Sequence, residues 1–113
     1  MFGFSQPKVP QIDATEVKKA LDEHKDMTIL DVRTQGEYSR GKIPNSLNIP
    51  LNELADTVSA IIPDKSRTVY VYCMSGSRSA AAVDELLKMG YANAMDIKSG
   101  LLSWRANGFS ISQ

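Results

Sequence analysis

Thr68-Val69-Tyr70-Val71-Tyr72-Cys73-Met74-Ser75-Gly76-Ser77-Arg78-Ser79-Ala80-Ala81 is the stretch on which the fold turns. Its first five residues are β-branched or aromatic, the composition of a buried strand. Its end is alanine-rich and runs on to Met89 with Val83, Leu86 and Leu87 on one helical face, and Gly90 stands where a C′ residue belongs. Between the two lies a short polar loop that carries the only cysteine of the chain. The stretch predicts a strand, a tight loop and a helix start, with Cys73 at the carboxyl end of the strand. Two readings of that cysteine stand side by side: a presented nucleophile, or a small buried residue in an ordinary turn.

Working outward, strand and helix patterns alternate. Asp13-Ala14-Thr15-Glu16 has the spacing of a capping box and opens a helix with Val17, Ala20 and Leu21 on one face. Thr28–Val32 predicts a short buried strand, Gln35–Arg40 a brief helical turn closed by Gly41, and Leu47–Ile49 a second short strand stopped by Pro50. Leu54, Val58 and Ile61 share the spacing of an amphipathic helix that Pro63 ends. Ala94–Ile97 predicts a last strand and Leu101–Ala106 a last helix before Gly108. Alternation of this kind predicts an α/β fold, a small, mainly parallel sheet with helices on both faces. Ligands of such sheets sit beyond the carboxyl ends of the strands. Cys73 lies at one such end, and Asp31 and Arg33 lie at another.

Composition bounds the function. The chain has 113 residues, 42% apolar and 23% charged, and these proportions are those of one ordinary globular domain. We divide it into a lead-in, residues 1–9, and a single domain, residues 10–113. Thirteen basic and thirteen acidic side chains cancel, so nothing argues for a nucleic-acid partner. A single cysteine forms no internal disulfide, and with a single histidine it builds no zinc site by itself. A lone thiol fits a reducing compartment. The apolar runs are too short to span a membrane, and Met1–Pro7 lacks the basic start and apolar core of a secretory signal. The expected location is cytoplasmic; the sequence does not fix the oligomeric state, and a monomer is favoured.

The loop has the chemistry to hold an anion. A thiolate is the reactive form of cysteine, and a free thiol ionises near a pH of about 8.5. The helix that follows offers unpaired first-turn amides and a partial positive charge. Gly76 can take the positive φ that a curl around sulfur needs. Ser75, Ser77 and Ser79 can donate from their hydroxyls, and Arg78 adds a fixed positive charge.

Cys73-x-x-Gly76-x-Arg78-Ser79 resembles the active-site loop of rhodanese-like sulfurtransferases. The likeness extends to Leu30-Asp31-Val32-Arg33, Glu37-Tyr38, Gly41-Lys42-Ile43-Pro44, Asn48-Ile49-Pro50-Leu51, Gly90-Tyr91, and the closing Gly100, Trp104 and Gly108. It spans about residues 10–110. The chain departs from the family pattern in two places. Lys42 replaces a usual histidine, with Asn45-Ser46 following where Gly-Ala is common, and Ser99-Gly100 stands where many members have two glycines. Met74 occupies a position that is often basic in thiosulfate-using members, which weighs against thiosulfate as the natural donor.

The resemblance implies a rhodanese-like fold and a sulfurtransferase in which Cys73 takes a sulfane sulfur from thiosulfate, a polysulfide or a protein persulfide. A thiol, cyanide or a partner protein's cysteine then removes it, and the implied mechanism needs no metal and no organic cofactor. Met74, Ser75, Gly76, Ser77, Arg78 and Ser79 would form the substrate-binding loop. The rivals are a sulfur-carrier or regulatory binding module with little turnover, and a cysteine-dependent phosphatase or arsenate reductase. The phosphatases carry Cys-x5-Arg, whereas four residues separate Cys73 from Arg78 here, and the smaller ring favours sulfur. Elsewhere, Asp31 and Arg33 read as supporting residues that brace loops, Arg33 pairing with Glu37, with a substrate-facing Arg33 as the alternative. His24 reads as an exposed imidazole at a helix end, Trp104 as core, Tyr70 and Tyr72 as strand residues, and Lys42 as a solvated side chain.

Overall fold

In the computed structural model, which describes residues 6–113, five strands form one sheet in the order β1-β5-β4-β2-β3. They are β1 (Gln11–Ile12), β2 (Thr28–Asp31), β3 (Leu47–Asn48), β4 (Val69–Tyr72) and β5 (Ala94–Ile97). Every pairing is parallel. The expectation drawn from Met1–Pro7 falls, for its first five positions, outside the described residues. Strand β4 lies between β2 and β5 and is buried on both faces. Val69 and Val71 point to one side and Tyr72 to the other, which is why this run lacks polar alternation.

Helices α1 (Ala14–Asp22) and α5 (Gly100–Ala106) cover one face. There Ala14, Val17, Leu101 and Trp104 pack with Ile29, Tyr72 and Ile97. Helices α3 (Leu54–Ile61) and α4 (Ser77–Lys88) cover the other, where Leu54, Val58, Val83 and Leu86 meet Leu30, Val69 and Val71. The short α2 (Gln35–Arg40) joins β2 to β3. The sheet flanked on both faces is therefore as expected. The chain passes from β2 outward to β3 and then returns to place β4 on the opposite side of β2. The order thus reverses between β2 and β4, where parallel α/β sheets leave a crevice.

Local chemistry explains the element ends. Helix α4 closes with a Schellman motif: the Tyr91 N–H donates to the Leu86 carbonyl at 3.0 Å and the Gly90 N–H to that of Leu87 at 3.0 Å. Gly90, at φ +99°, supplies the turn. Three expectations need correction. Asp13 is the N-cap of α1 but makes no side-chain cap. Its carboxylate is exposed, and the formed capping box is Thr34 with Glu37 at the start of α2. Ile61 is 46% exposed, and Ile62 takes the inward position. The chain leaves helical dihedrals at Ile62, the residue before Pro63, and this rotates its side chain into the core. Strand β1 was not anticipated; two residues long, it has no periodicity to read, and it is added by backbone bonds such as Asp96 N–H to Pro10 O at 2.8 Å.

Candidate functional site

The crevice between β2 and β4 is built by backbone first. The Val32 N–H donates to the Tyr72 carbonyl at 3.0 Å, which carries the pairing of the two strands to their carboxyl ends. Beyond that point the chain turns at Cys73. The carbonyls of Cys73 and Met74 accept from the Leu101 and Leu102 amides at 3.0 and 3.1 Å, so the first turn of α5 holds the loop. A Cβ on Gly100 would lie 2.3 Å from the Cys73 carbonyl oxygen, and Gly100 itself has φ +46°. Only glycine fits there. Ser99 adopts a left-handed φ of +58° with an ordinary side chain, so the family's usual first glycine is replaceable and the second is not.

The sulfur of Cys73 accepts from the Gly76 N–H at 3.1 Å. Gly76 has φ +131° and caps α4. The curl therefore forms as expected and aims one amide at sulfur beside the positive end of a twelve-residue helix. Of the three loop serines, only Ser79 reaches the sulfur, with Oγ 3.5 Å from Sγ. Ser75 and Ser77 are exposed and make no hydrogen bond to it among the described residues. Cys73 is 1% exposed and belongs to the core under α4.

Arg78 turns toward α2, where its Nη1 and Nη2 donate to Glu37 Oε1 and Oε2 at 2.7 and 3.2 Å. These bonds, with that from the Thr34 amide, hold the Glu37 carboxyl down at about 2. Glu37 thus closes the capping box of α2 and ties α2 to α4 in one residue. The expected Arg33–Glu37 pair is not formed. Arg33 is instead buried at 2% exposure against Asp31, its Nε and Nη2 donating to Oδ2 at 3.0 and 2.8 Å. Its Nη2 also donates to the Gly41 carbonyl at 2.6 Å. Proximity in sequence favoured Glu37, but Asp31 offers both oxygens inside the protein, where water does not compete. Tyr72 completes this brace, its hydroxyl accepting from the Ile43 amide at 3.1 Å, and burial pushes its phenol well above the usual range. Asp31 and Arg33 are loop braces in this arrangement.

A cavity of about 280 Å³ opens beside the loop, lined by Arg33, Glu37, Arg40, Gly41, Met74, Leu101 and Arg105. Met74 and Leu101 give it an apolar floor. Arg33 and Glu37 are already paired, and Arg40 and Arg105, both exposed, are the lining charges that form no ion pair among the described residues. Sequence reading missed these two, because residues on α2 and α5 become neighbours of Met74 only in the fold. It also missed Asp96 on β5, which is 1% exposed and accepts from the Ser79 hydroxyl at 2.6 Å. His24 is exposed, and the Lys42 ammonium lies 4.5 Å from the centre of the Tyr38 ring. No group of three or more metal-ligating side chains occurs among the described residues, and no helix there is long and apolar enough to cross a membrane.

The geometry is that of a thiol-bearing loop at a sheet switch point, and the comparisons with known proteins agree. The rhodanese-like domain family matches residues 13–107. A sulfurtransferase of Allochromatium vinosum is 32% identical over 103 residues, covering 91% of this chain and 94% of that one. An adenylyltransferase and sulfurtransferase of Ogataea parapolymorpha is 41% identical over 76 residues, covering 67% of this chain and 19% of that protein. The crystal structure of a thiosulfate sulfurtransferase from Pseudomonas aeruginosa superposes with a TM-score of 0.86 at 30% identity, covering 93% of this chain and 20% of that one. The chain belongs to the rhodanese-like domain family. Its likeness to relatives named sulfurtransferases supports sulfur transfer as the general activity. For the latter two proteins it spans about a fifth of the length.

The Glu37 carboxyl titrates below its unfolded value, so the Arg78–Glu37 tie stabilises the fold above the ordinary carboxylate range and is lost as pH falls toward 2. Urea unfolding of the wild type between about pH 5 and pH 2 should include a loss of about 1 kcal/mol from this partly exposed pair. In Glu37→Gln that component is expected to disappear. An unchanged acid dependence in the variant would contradict the assignment.

Proposed function

We propose that the protein is a sulfurtransferase that works through a persulfide on Cys73. The observation that carries the reading is the Cys73 sulfur, placed at the carboxyl end of the central strand with the Gly76 amide aimed at it. In the first half-reaction the Cys73 thiolate attacks the outer sulfur of a donor. With thiosulfate the S–S bond of the donor breaks, sulfite leaves with the bonding pair, and Cys73–S–S⁻ remains. The Gly76 amide and the amino end of α4 stabilise the anionic sulfur. In the second half-reaction a thiophilic acceptor attacks the terminal sulfur and the Cys73 thiolate leaves; cyanide would depart as thiocyanate. The chain has no other cysteine to resolve the persulfide, so the acceptor comes from outside, as a small thiol or the cysteine of a partner protein.

The loop count weighs against phosphate, and so does the position of Arg78. A phosphatase loop needs its arginine free to grip the equatorial oxygens of a phosphate. Here Arg78 is engaged by both oxygens of Glu37. Met74 had weighed against thiosulfate through the lack of a loop cation. Arg40 and Arg105 bring positive charge to the same cavity from neighbouring helices, and this favours an anionic donor of small size. We take residues 10–113 to act as one domain.

Turnover from thiosulfate or polysulfide to cyanide is expected in the wild type, and Cys73→Ser should lose it entirely; a variant that keeps the activity would refute the mechanism. For thiosulfate, Arg40→Ala and Arg105→Ala should each raise KM several-fold, with kcat little changed. The effect should shrink as salt is raised toward about 0.5 M, because both cations are exposed. An unchanged KM in both variants would remove the cavity from the donor's path.

A further inference from the structure

Asp96 is a buried acid with no cation to pair it. Its Oδ1 accepts from Ser79 Oγ at 2.6 Å, and its Oδ2 accepts from Gln11 Nε2 at 3.3 Å. Both partners are neutral, and no ion pair forms at Asp96 among the described residues. An ionised carboxylate in such a place is costly. An asparagine would accept the same bond from Ser79 without that cost. What a carboxyl adds is the capacity to take up a proton.

Ser79 stands between this acid and the sulfur. Its hydroxyl has one proton, and the 2.6 Å contact to Asp96 is shorter than the 3.2 Å contact to the Gly76 carbonyl. With that proton directed to Asp96, the Ser79 oxygen is free to accept from the Cys73 thiol, 3.5 Å away. The three groups form a continuous chain from S–H to carboxylate, and each member is buried, with exposures of 1% or less. We propose that Asp96, acting through the Ser79 hydroxyl, takes up the proton that Cys73 loses on becoming a nucleophile.

In this step Cys73 gives its proton to Ser79 Oγ while the Ser79 proton passes to Asp96 Oδ1. The S–H bonding pair stays on sulfur, a carboxylic O–H forms, and nothing is oxidised or reduced. The Ser79 hydroxyl then donates to the thiolate, and later to the persulfide, in place of the bond it accepted. The net charge of the buried group stays at one negative throughout, so no new charge is created in the core. Burial pushes the Asp96 carboxyl up, against the pull of the Ser79 and Gln11 hydrogen bonds, which favours its taking up a proton. The groups facing the chain are few. Ser79 comes from α4 and Gln11 from β1. Arg78 is the cation that interacts with Cys73 and Asp31, and it is itself paired with Glu37.

The inference rests on the reading of Cys73 as the nucleophile, but its test needs no sulfur donor. The rate of Cys73 alkylation by iodoacetamide should be measured against pH for the full chain, for Asp96→Asn and for Ser79→Ala. Both variants are expected to react at least about tenfold more slowly than the wild type near pH 6.5 and to approach it above about pH 9. The double variant should be no slower than the slower single one. A carboxylate that only repelled the thiolate would predict the opposite, faster alkylation of Asp96→Asn at low pH. That result, or a slowing equal at all pH values, would overturn the proposal. Should Asp96→Asn fail to fold, Ser79→Ala carries the test, and a wild-type pH profile in it is equally fatal. Alkylation as expected without any sulfur transfer would keep the relay and count against the sulfurtransferase reading alone.

Discussion

The close approach of Gly100 to the Cys73 carbonyl is the constraint on which the site depends. It lets the Leu101 and Leu102 amides reach the Cys73 and Met74 carbonyls, and so joins the last helix to the turn after the central strand. Without that join the loop would have no partner for two of its carbonyls, and buried backbone groups left unpaired are costly. With it, the chain leaves β4 in one direction only. Gly76 then completes the curl, and its amide meets the sulfur. The fold thus fixes the thiol through backbone contacts, which leaves the side chains around it free to set the chemistry.

Those side chains are arranged as two ion pairs and one exception. Asp31–Arg33 is buried and ties the end of β2 to the Gly41 carbonyl, while Glu37–Arg78 is half-exposed and ties α2 to α4. Each pair neutralises itself, so the positive charge that Arg78 brings toward Cys73 is offset by Glu37. The remaining charge is divided. Arg40 and Arg105 face the cavity, on the side from which a donor would come, and Asp96 lies beneath the loop without a cation. In the proposed mechanism, attraction of an anion from outside and acceptance of a proton inside fall to different residues.

Much of this was legible in the sequence. The β-branched and aromatic composition of the run to Tyr72 and the helical spacing of the alanine-rich run from Ser79 place Cys73 at a strand end, because both runs are long enough to read. The glycines with positive φ at Gly76 and Gly90 were legible for the same local reason. What was hidden depends on contacts distant in sequence. Asp13 and Glu16 have the spacing of a capping box, yet only Thr34 and Glu37 form one, and spacing does not distinguish them. Arg33 chose Asp31 over Glu37 because of burial. Asp96, seventeen residues from Ser79, reads as an ordinary strand residue until β5 is laid beside β4.

The central claim is that Cys73 carries the transferred sulfur. The most direct measurement is the intact mass of the protein after a single exposure to thiosulfate or polysulfide, followed by peptide mapping and a cyanide chase. The account predicts a gain of one sulfur atom, located on the peptide that contains Cys73, lost on addition of cyanide with one equivalent of thiocyanate formed. Sulfur found on no peptide, or an adduct on Cys73 that cyanide cannot discharge, would contradict it.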